Sequence, residues 1–122
     1  MPPMDRFALD IETIPLTNDP DFDDPTDWTV FAVALGHQAG ASDAGDLDVD
    51  VLFRTTDSIE AENRLLHNTL DWIADRTRRG EPRELLTYNG SSYDLPILED
   101  RARRVRRSTP RSNVVERLVL LH

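Results

Sequence analysis

Two short acidic motifs combine residue types that can carry out chemistry, and the first of them is Asp10-Ile11-Glu12, at the end of an apolar segment. In a strand, its two carboxylates point to the same side of the sheet, because side chains two residues apart share a face. Half-buried carboxylates this close repel each other and are costly to desolvate, and a bound divalent cation offsets both effects. Oxygen ligands of this kind suit Mg²⁺ or Mn²⁺.

The second motif, Tyr88-Asn89-Gly90-Ser91-Ser92-Tyr93-Asp94-Leu95-Pro96, joins a predicted strand to a predicted helix. Asp94 begins that helix, where the helix dipole favours a carboxylate. Taken alone, the motif is typical of a helix N-cap at Asp94 after a tight turn at Asn89-Gly90.

Hydrophobic periodicity places both motifs in a mixed α/β domain. Apolar residues alternate in the first segments and then recur at helical spacing, with Asp57 as a plausible helix N-cap. Three successive strands that form an antiparallel meander, followed by helix-linked parallel strands, predict a mixed sheet covered by helices. The predicted order is strand, strand, strand, helix, strand, helix, strand, over residues 6–11, 29–35, 49–54, 59–73, 84–88, 96–105 and 114–121.

Composition limits the class of protein. The 122 residues include 16 Asp, 7 Glu and 14 Arg but no Lys and no Cys, and the net charge is −9. Without Cys there are no disulfides, thiolate nucleophiles or Cys-based metal sites. No apolar run is long enough to span a bilayer, and Met1–Asp5 is unlike a secretory signal, so we expect a cytoplasmic protein with no membrane partner. An acidic, Lys-free surface is what we expect of a halophilic protein, because concentrated salt screens its self-repulsion.

Positive charge is concentrated in the second part of the chain. Residues 1–75 hold 17 acids and 3 Arg, a net of −14, whereas residues 76–122 hold 6 acids and 11 Arg, a net of +5. A basic run in this part can contact phosphates or can pair with acids at helical spacing, and the sequence leaves both interpretations open. The run consists of Arg101, Arg103, Arg104, Arg106, Arg107 and Arg111. The two tryptophans, Trp28 and Trp72, adjoin apolar segments and are predicted core anchors.

Together the two motifs resemble the first two exonuclease motifs of the DEDD 3′–5′ exonucleases, which have the forms Asp-x-Glu and Asn-x-x-x-(Phe/Tyr)-Asp. The chain looks most like the proofreading domain of family-B DNA polymerases and like stand-alone ribonuclease-H-like domains similar to it. The motifs lie within residues 7–13 and 87–98, and the predicted element order fits that fold. The resemblance implies a single ribonuclease-H-like exonuclease domain over residues 1–122.

The resemblance also implies two-metal hydrolysis of phosphodiester bonds at single-stranded 3′ ends of DNA or RNA. Asp10, Glu12 and Asp94 would be the catalytic residues and would bind two Mg²⁺ or Mn²⁺ ions. Those cations would reverse the sign of the acidic cluster, which otherwise repels nucleic acid. The substrate-binding residues would be Asn89, Tyr93 and Thr13.

The sequence departs from the family at its C-terminal end. The third exonuclease motif should place a fourth Asp, preceded by Tyr or His, on a further helix, but the chain stops at Leu121-His122. In relatives the strand before that helix often carries an Asp, and Val119 occupies the corresponding position here. We therefore expect a C-terminally truncated domain that lacks its last helix. Three hypotheses follow: an exonuclease with full or impaired turnover, a catalytically inactive nucleic-acid-binding module, and a half-domain that needs a partner chain to complete its fold.

Overall fold

The structure is a computed structural model, and it describes residues 5–39, 47–77, 83–87 and 94–121. Those residues form a four-stranded mixed sheet with helices packed against it, which confirms the predicted mixed α/β class. The elements are β1 (Asp5–Pro15), β2 (Trp28–Gln38), β3 (Leu47–Phe53), α1 (Ile59–Arg76), β4 (Arg83–Thr87), α2 (Leu95–Ser108) and α3 (Val114–Arg117), with 3₁₀ turns at Pro25–Asp27 and Leu118–Leu121.

The strand order is β3-β2-β1-β4, and the first three strands form the antiparallel meander that the sequence predicts. Leu9 lies opposite Leu35 in the β1–β2 pair, and Leu35 lies opposite Asp50 in the β2–β3 pair. The fourth strand is parallel to β1 and is reached through α1, since a parallel connection requires a crossover. Both of these sheet predictions are therefore confirmed.

One face of the sheet carries the core. Phe7, Leu9 and Ile11 alternate with exposed residues along β1 and are buried against the helices. The apolar stripes of α1 and α2 cover this face, because residues three and four apart share one side of a helix. The predicted core anchors Trp28 and Trp72 are both buried, which confirms their assignment.

The N-cap of the first helix lies one residue later than the predicted N-cap, Asp57. Its N-cap is Ser58, whose side chain accepts a hydrogen bond from the Ala61 N–H. Asp57 pairs instead with Arg54, Nη1 to Oδ1 at 3.1 Å. Ser and Asp are comparable N-caps, so the sequence alone does not choose between neighbouring candidates.

The predicted last strand over residues 114–121 is wrong, because this segment forms α3 and a 3₁₀ turn. Val114, Leu118 and Leu121 are buried, and their spacing of four and three places them on one side of a helix. Val119 points away from that side and is 67% exposed. A short apolar run fits a strand or a buried helix equally well by periodicity, which explains the error. The described residues thus contain one parallel strand, β4, rather than the predicted two.

Candidate active site

Strand β1 carries the first acidic motif past the point where its parallel neighbour ends. The last described pair of β1 and β4 is Leu9 opposite Thr87, so no described residue of β4 lies opposite Asp10 or Glu12. Asp10 and Glu12 are both exposed, whereas Ile11 between them is buried. The strand alternation therefore directs the two carboxylates to the face of the sheet opposite the helices.

Asp94 fills the position beside β1 that β4 leaves open. Its carboxylate accepts a hydrogen bond from the backbone N–H of Ile11, the residue between Asp10 and Glu12. Asp94 lies just before α2 and occupies the N-cap position, but its side chain makes no capping hydrogen bond to that helix. The structure thus brings the second motif to the first one, and the N-cap interpretation of Asp94 does not describe its contacts.

The surroundings of Asp94 disfavour a negative charge. The residue is 1% exposed, and its Oδ2 has no hydrogen-bond partner among the described residues. Burial raises the pKa of Asp94 to about 6, the charges of Asp10 and Glu12 push it in the same direction, and the Ile11 hydrogen bond opposes them. Near neutral pH, Asp94 therefore lies close enough to Asp10 and Glu12 to be repelled by them, and no positive charge among the described residues compensates the three acids.

This donor set fits a hard divalent cation in its chemistry. A cation would satisfy the buried Oδ2 of Asp94 and remove the repulsion from Asp10 and Glu12. Within the described ranges, no three Asp, Glu, His or Cys side chains are already arranged to hold a metal ion. Because Asp10 and Glu12 are exposed and free to change rotamer, binding requires their carboxylates to turn toward Asp94.

The predicted substrate-binding residues are only partly described. Thr13 is half-buried and follows a β-bulge, where Glu12 lies opposite Ala32 but Thr13 lies opposite Val30. Such bulges bend a strand and change the direction of its side chains. The other two predicted residues, Asn89 and Tyr93, lie outside the described part of the chain.

A buried ion pair, which the sequence reasoning missed, fixes α2 behind the site. The Glu62 carboxylate accepts hydrogen bonds from Arg101 at 2.6 Å (Nη2) and 3.0 Å (Nε), from the Thr29 hydroxyl at 2.7 Å and from the Val30 N–H at 3.0 Å. These contacts join α1, α2 and β2, so they hold the helix that follows Asp94. Helical spacing could have indicated that these two residues are buried. Glu62 lies four residues from the buried Leu66, and Arg101 lies four residues from the buried Ile97.

The basic run divides into paired and unpaired arginines. Arg101 is buried, so the phosphate interpretation is wrong for this residue. Two others pair with acids at helical spacing, as the alternative interpretation predicts: Arg103–Glu99 at 3.9 Å and Arg104–Asp100 at 2.9 Å. Arg106 pairs at 2.6 Å with Glu116, ten residues along the chain, which is a contact outside that prediction. Arg107 and Arg111 are exposed and form no ion pair with the described residues. Phosphate contact remains a prediction for these last two.

No protein-family model matches the chain, and neither does any curated protein or solved structure. Among the helices of the described segments, none has the length and apolar character needed to cross a membrane. The functional interpretation therefore rests on the two acidic motifs and on the contact that joins them.

Proposed function

We propose that this chain is a ribonuclease-H-like domain with a metal-dependent 3′–5′ exonuclease site formed by Asp10, Glu12 and Asp94. The observation that carries the proposal is the buried Asp94 carboxylate, which accepts the Ile11 N–H and whose Oδ2 has no hydrogen-bond partner in the described part of the chain. The antiparallel β1–β3 meander and the parallel β4 reached through α1 agree with such a fold.

Each acid has a distinct part in this proposal. Asp94 is the fixed ligand, because burial and the Ile11 hydrogen bond restrict its carboxylate. Asp10 and Glu12 are the adjustable ligands, because they are exposed on the sheet face opposite the helices. When bound, Mg²⁺ or Mn²⁺ activates a water and neutralises charge on the phosphodiester. The three carboxylates repel a phosphate backbone by themselves, so substrate binding depends on the cations.

A second candidate function is nucleic-acid binding without turnover. Arg107 and Arg111 are exposed and unpaired within the described residues, and they can contact phosphates without any metal. Glu116, the last acid of the sequence, is already paired with Arg106 at 2.6 Å. The described residues beyond α2 therefore offer no free carboxylate to a fourth ligand position.

A nuclease assay tests the proposal and separates the two candidates. The substrates are 5′-labelled single-stranded DNA and RNA, incubated with Mn²⁺, Mg²⁺ or EDTA in concentrated KCl. We expect metal-dependent shortening from the 3′ end, reduced at least about 100-fold by Asp10→Asn and by Asp94→Asn. Asp75→Asn removes an exposed acid of α1 and serves as the matched control, with unchanged activity.

Three results would count against the exonuclease. Absence of shortening with either metal rejects it, and retained binding of the labelled strands then supports the second candidate. Shortening that survives both Asp10→Asn and Asp94→Asn places the activity outside this site. Shortening from the 5′ end contradicts the proposed direction of hydrolysis.

A further inference from the structure

The sheet face opposite the helices is apolar, and no described element covers it. Its large side chains are Leu47, Val49, Val51 and Phe53 on β3, with exposed fractions of 53–66%, and Leu86 on β4 at 48%. The register places all five on one side of the sheet, because they lie opposite Gln38, Gly36, Ala34, Ala32 and Ala8 in neighbouring strands. Together they expose on the order of 400 Å², the size at which an apolar patch on a monomer marks an interaction site.

This face forms a shallow groove that is open to solvent. Its floor is made of the small residues Ala8, Ala34 and Gly36 on the two central strands, and its walls include Leu47 and Val49 on one side and Leu86 on the other. The space above this floor is largely open to solvent and has a volume of about 500 Å³. The outer strands are three strand spacings apart, roughly 14 Å, and an α-helix with its side chains is about 10–12 Å across. An α-helix therefore fits between the walls.

The same geometry disfavours a second copy of this chain. Two copies stacked face to face would place the small residues Ala8 and Ala34 opposite each other and leave a central void, which close-packed interfaces avoid. Pairing through the β3 edge is disfavoured by Asp48 and Asp50, which line that strand with negative charge. The Asp50 carboxylate also takes the Val51 N–H, at 2.8 Å, that an added strand would use.

The negative charge of the groove and of the chain favours a positively charged binding partner. Asp10 lines the groove, and the chain as a whole carries a net charge of −9. We propose that the groove receives an amphipathic helix of a partner protein, with a stripe of bulky apolar residues on the floor and basic residues beside Asp10. Such a helix is the partner that the half-domain hypothesis requires. This inference rests on the shape and charge of the groove and does not depend on nuclease activity.

The test uses a labelled 18-residue Leu/Lys peptide designed as an amphipathic helix, with a Leu/Glu peptide of the same pattern as the charge control. Fluorescence anisotropy measures binding to the whole chain, and circular dichroism measures the helix content of the bound peptide. We expect saturable binding of the Leu/Lys peptide as a helix, at least about 10-fold tighter than that of the Leu/Glu peptide.

Two kinds of variant probe the groove without touching the core. Ala34→Gln places a neutral, larger side chain on the floor and should weaken binding at least about 10-fold. The double variant Val49→Thr/Val51→Thr keeps strand-forming residues at exposed positions and should weaken it several-fold, which guards against misfolding of the first variant. Asp75→Asn is the matched control and should bind like the original chain.

Several outcomes overturn the inference. These are no binding up to about 100 µM peptide, equal binding by the groove variants, and equal binding of the acidic peptide. Light scattering provides the last arm, in which we expect a monomer. A concentration-dependent dimer that Ala34→Gln abolishes would assign the groove to a second copy of the chain and contradict the partner helix.

Discussion

Three carboxylates of the described residues, Asp5, Glu62 and Asp94, are almost completely buried, and two of them, Glu62 and Asp94, have opposite surroundings. Glu62 is 2% exposed and accepts hydrogen bonds from Arg101, from a hydroxyl and from a backbone N–H. Asp94 is 1% exposed, accepts one backbone N–H from Ile11, and is repelled by the acids on either side of it. The two carboxylates are equally buried, but hydrogen bonds and a positive charge compensate the charge of Glu62, whereas a single hydrogen bond compensates that of Asp94.

The difference separates an acid whose charge the fold compensates from an acid whose charge it leaves uncompensated among the described residues. A buried charge is costly unless hydrogen bonds and an opposite charge compensate it, and the fold supplies both to Glu62. Nothing in the described residues supplies a positive charge to Asp94, although its position beside Ile11 is well defined. Local conflicts of this kind concentrate at functional sites, where an external ligand removes them.

Removing the charge of Glu62, which Arg101 compensates, should have the largest effect on stability. Glu62→Gln leaves the buried Arg101 without its counter-ion, so we expect the free energy of unfolding to fall by about 3–5 kcal/mol. Urea denaturation in concentrated KCl measures this loss. The matched control is Glu60→Gln, an exposed acid on the same helix, which should change stability by less than about 0.5 kcal/mol. A loss below about 1 kcal/mol for Glu62→Gln would show that the pair is not the anchor of α2.

Removing the charge of Asp94, which the described residues do not compensate, should have a smaller effect and should increase stability. Without metal, Asp94→Asn removes a repelled charge and keeps the shape of the side chain, so we expect a gain of about 1–3 kcal/mol near pH 7.5. The upper value corresponds to a pKa raised from 3.8 to about 6, at about 1.4 kcal/mol per pKa unit. Urea denaturation of both proteins in EDTA provides the measurement.

The stability gain of Asp94→Asn should grow as the pH rises, because the pKa of Asp94 is raised in the folded state. An acid with a raised pKa in the folded state costs nothing below pH 3.8, where folded and unfolded chains are both protonated. The cost grows as pH rises from about 4 to about 6, and it is complete above that range. The stability difference between Asp94→Asn and the original chain should therefore vanish near pH 3.5 and reach its plateau above pH 6.5. A difference that does not vary with pH would contradict the assignment.

The sequence predicts the four strands and two long helices because their apolar residues follow clear periods of two and 3.6. The last element fails, because Val114–Leu121 is short and apolar at six of its eight positions, and burial against α1 and α2 decides its conformation. Residue spacing also places Asp94 beside a strand end. It does not show that its carboxylate takes the Ile11 N–H instead of capping α2, because that choice depends on where β4 stops.

The buried ion pair between Glu62 and Arg101 shows a second feature that the sequence alone does not predict. Glu62 and Arg101 are charged residues on exposed-looking helices, and charged residues are mostly found at the surface. Their helical positions indicate burial of each residue separately. Their pairing across two helices depends on helix packing, which a single sequence does not reveal.

A manganese titration tests the central claim most directly. At a free Mn²⁺ concentration ten times the Kd, the ion should raise the free energy of unfolding of the original chain by about 1.4 kcal/mol at pH 7.5. The Asp75→Asn control should respond equally, whereas Asp10→Asn and Asp94→Asn should show little or no rise over the same range. An equal rise in Asp94→Asn, or none in the original chain, would contradict a metal site at these three carboxylates.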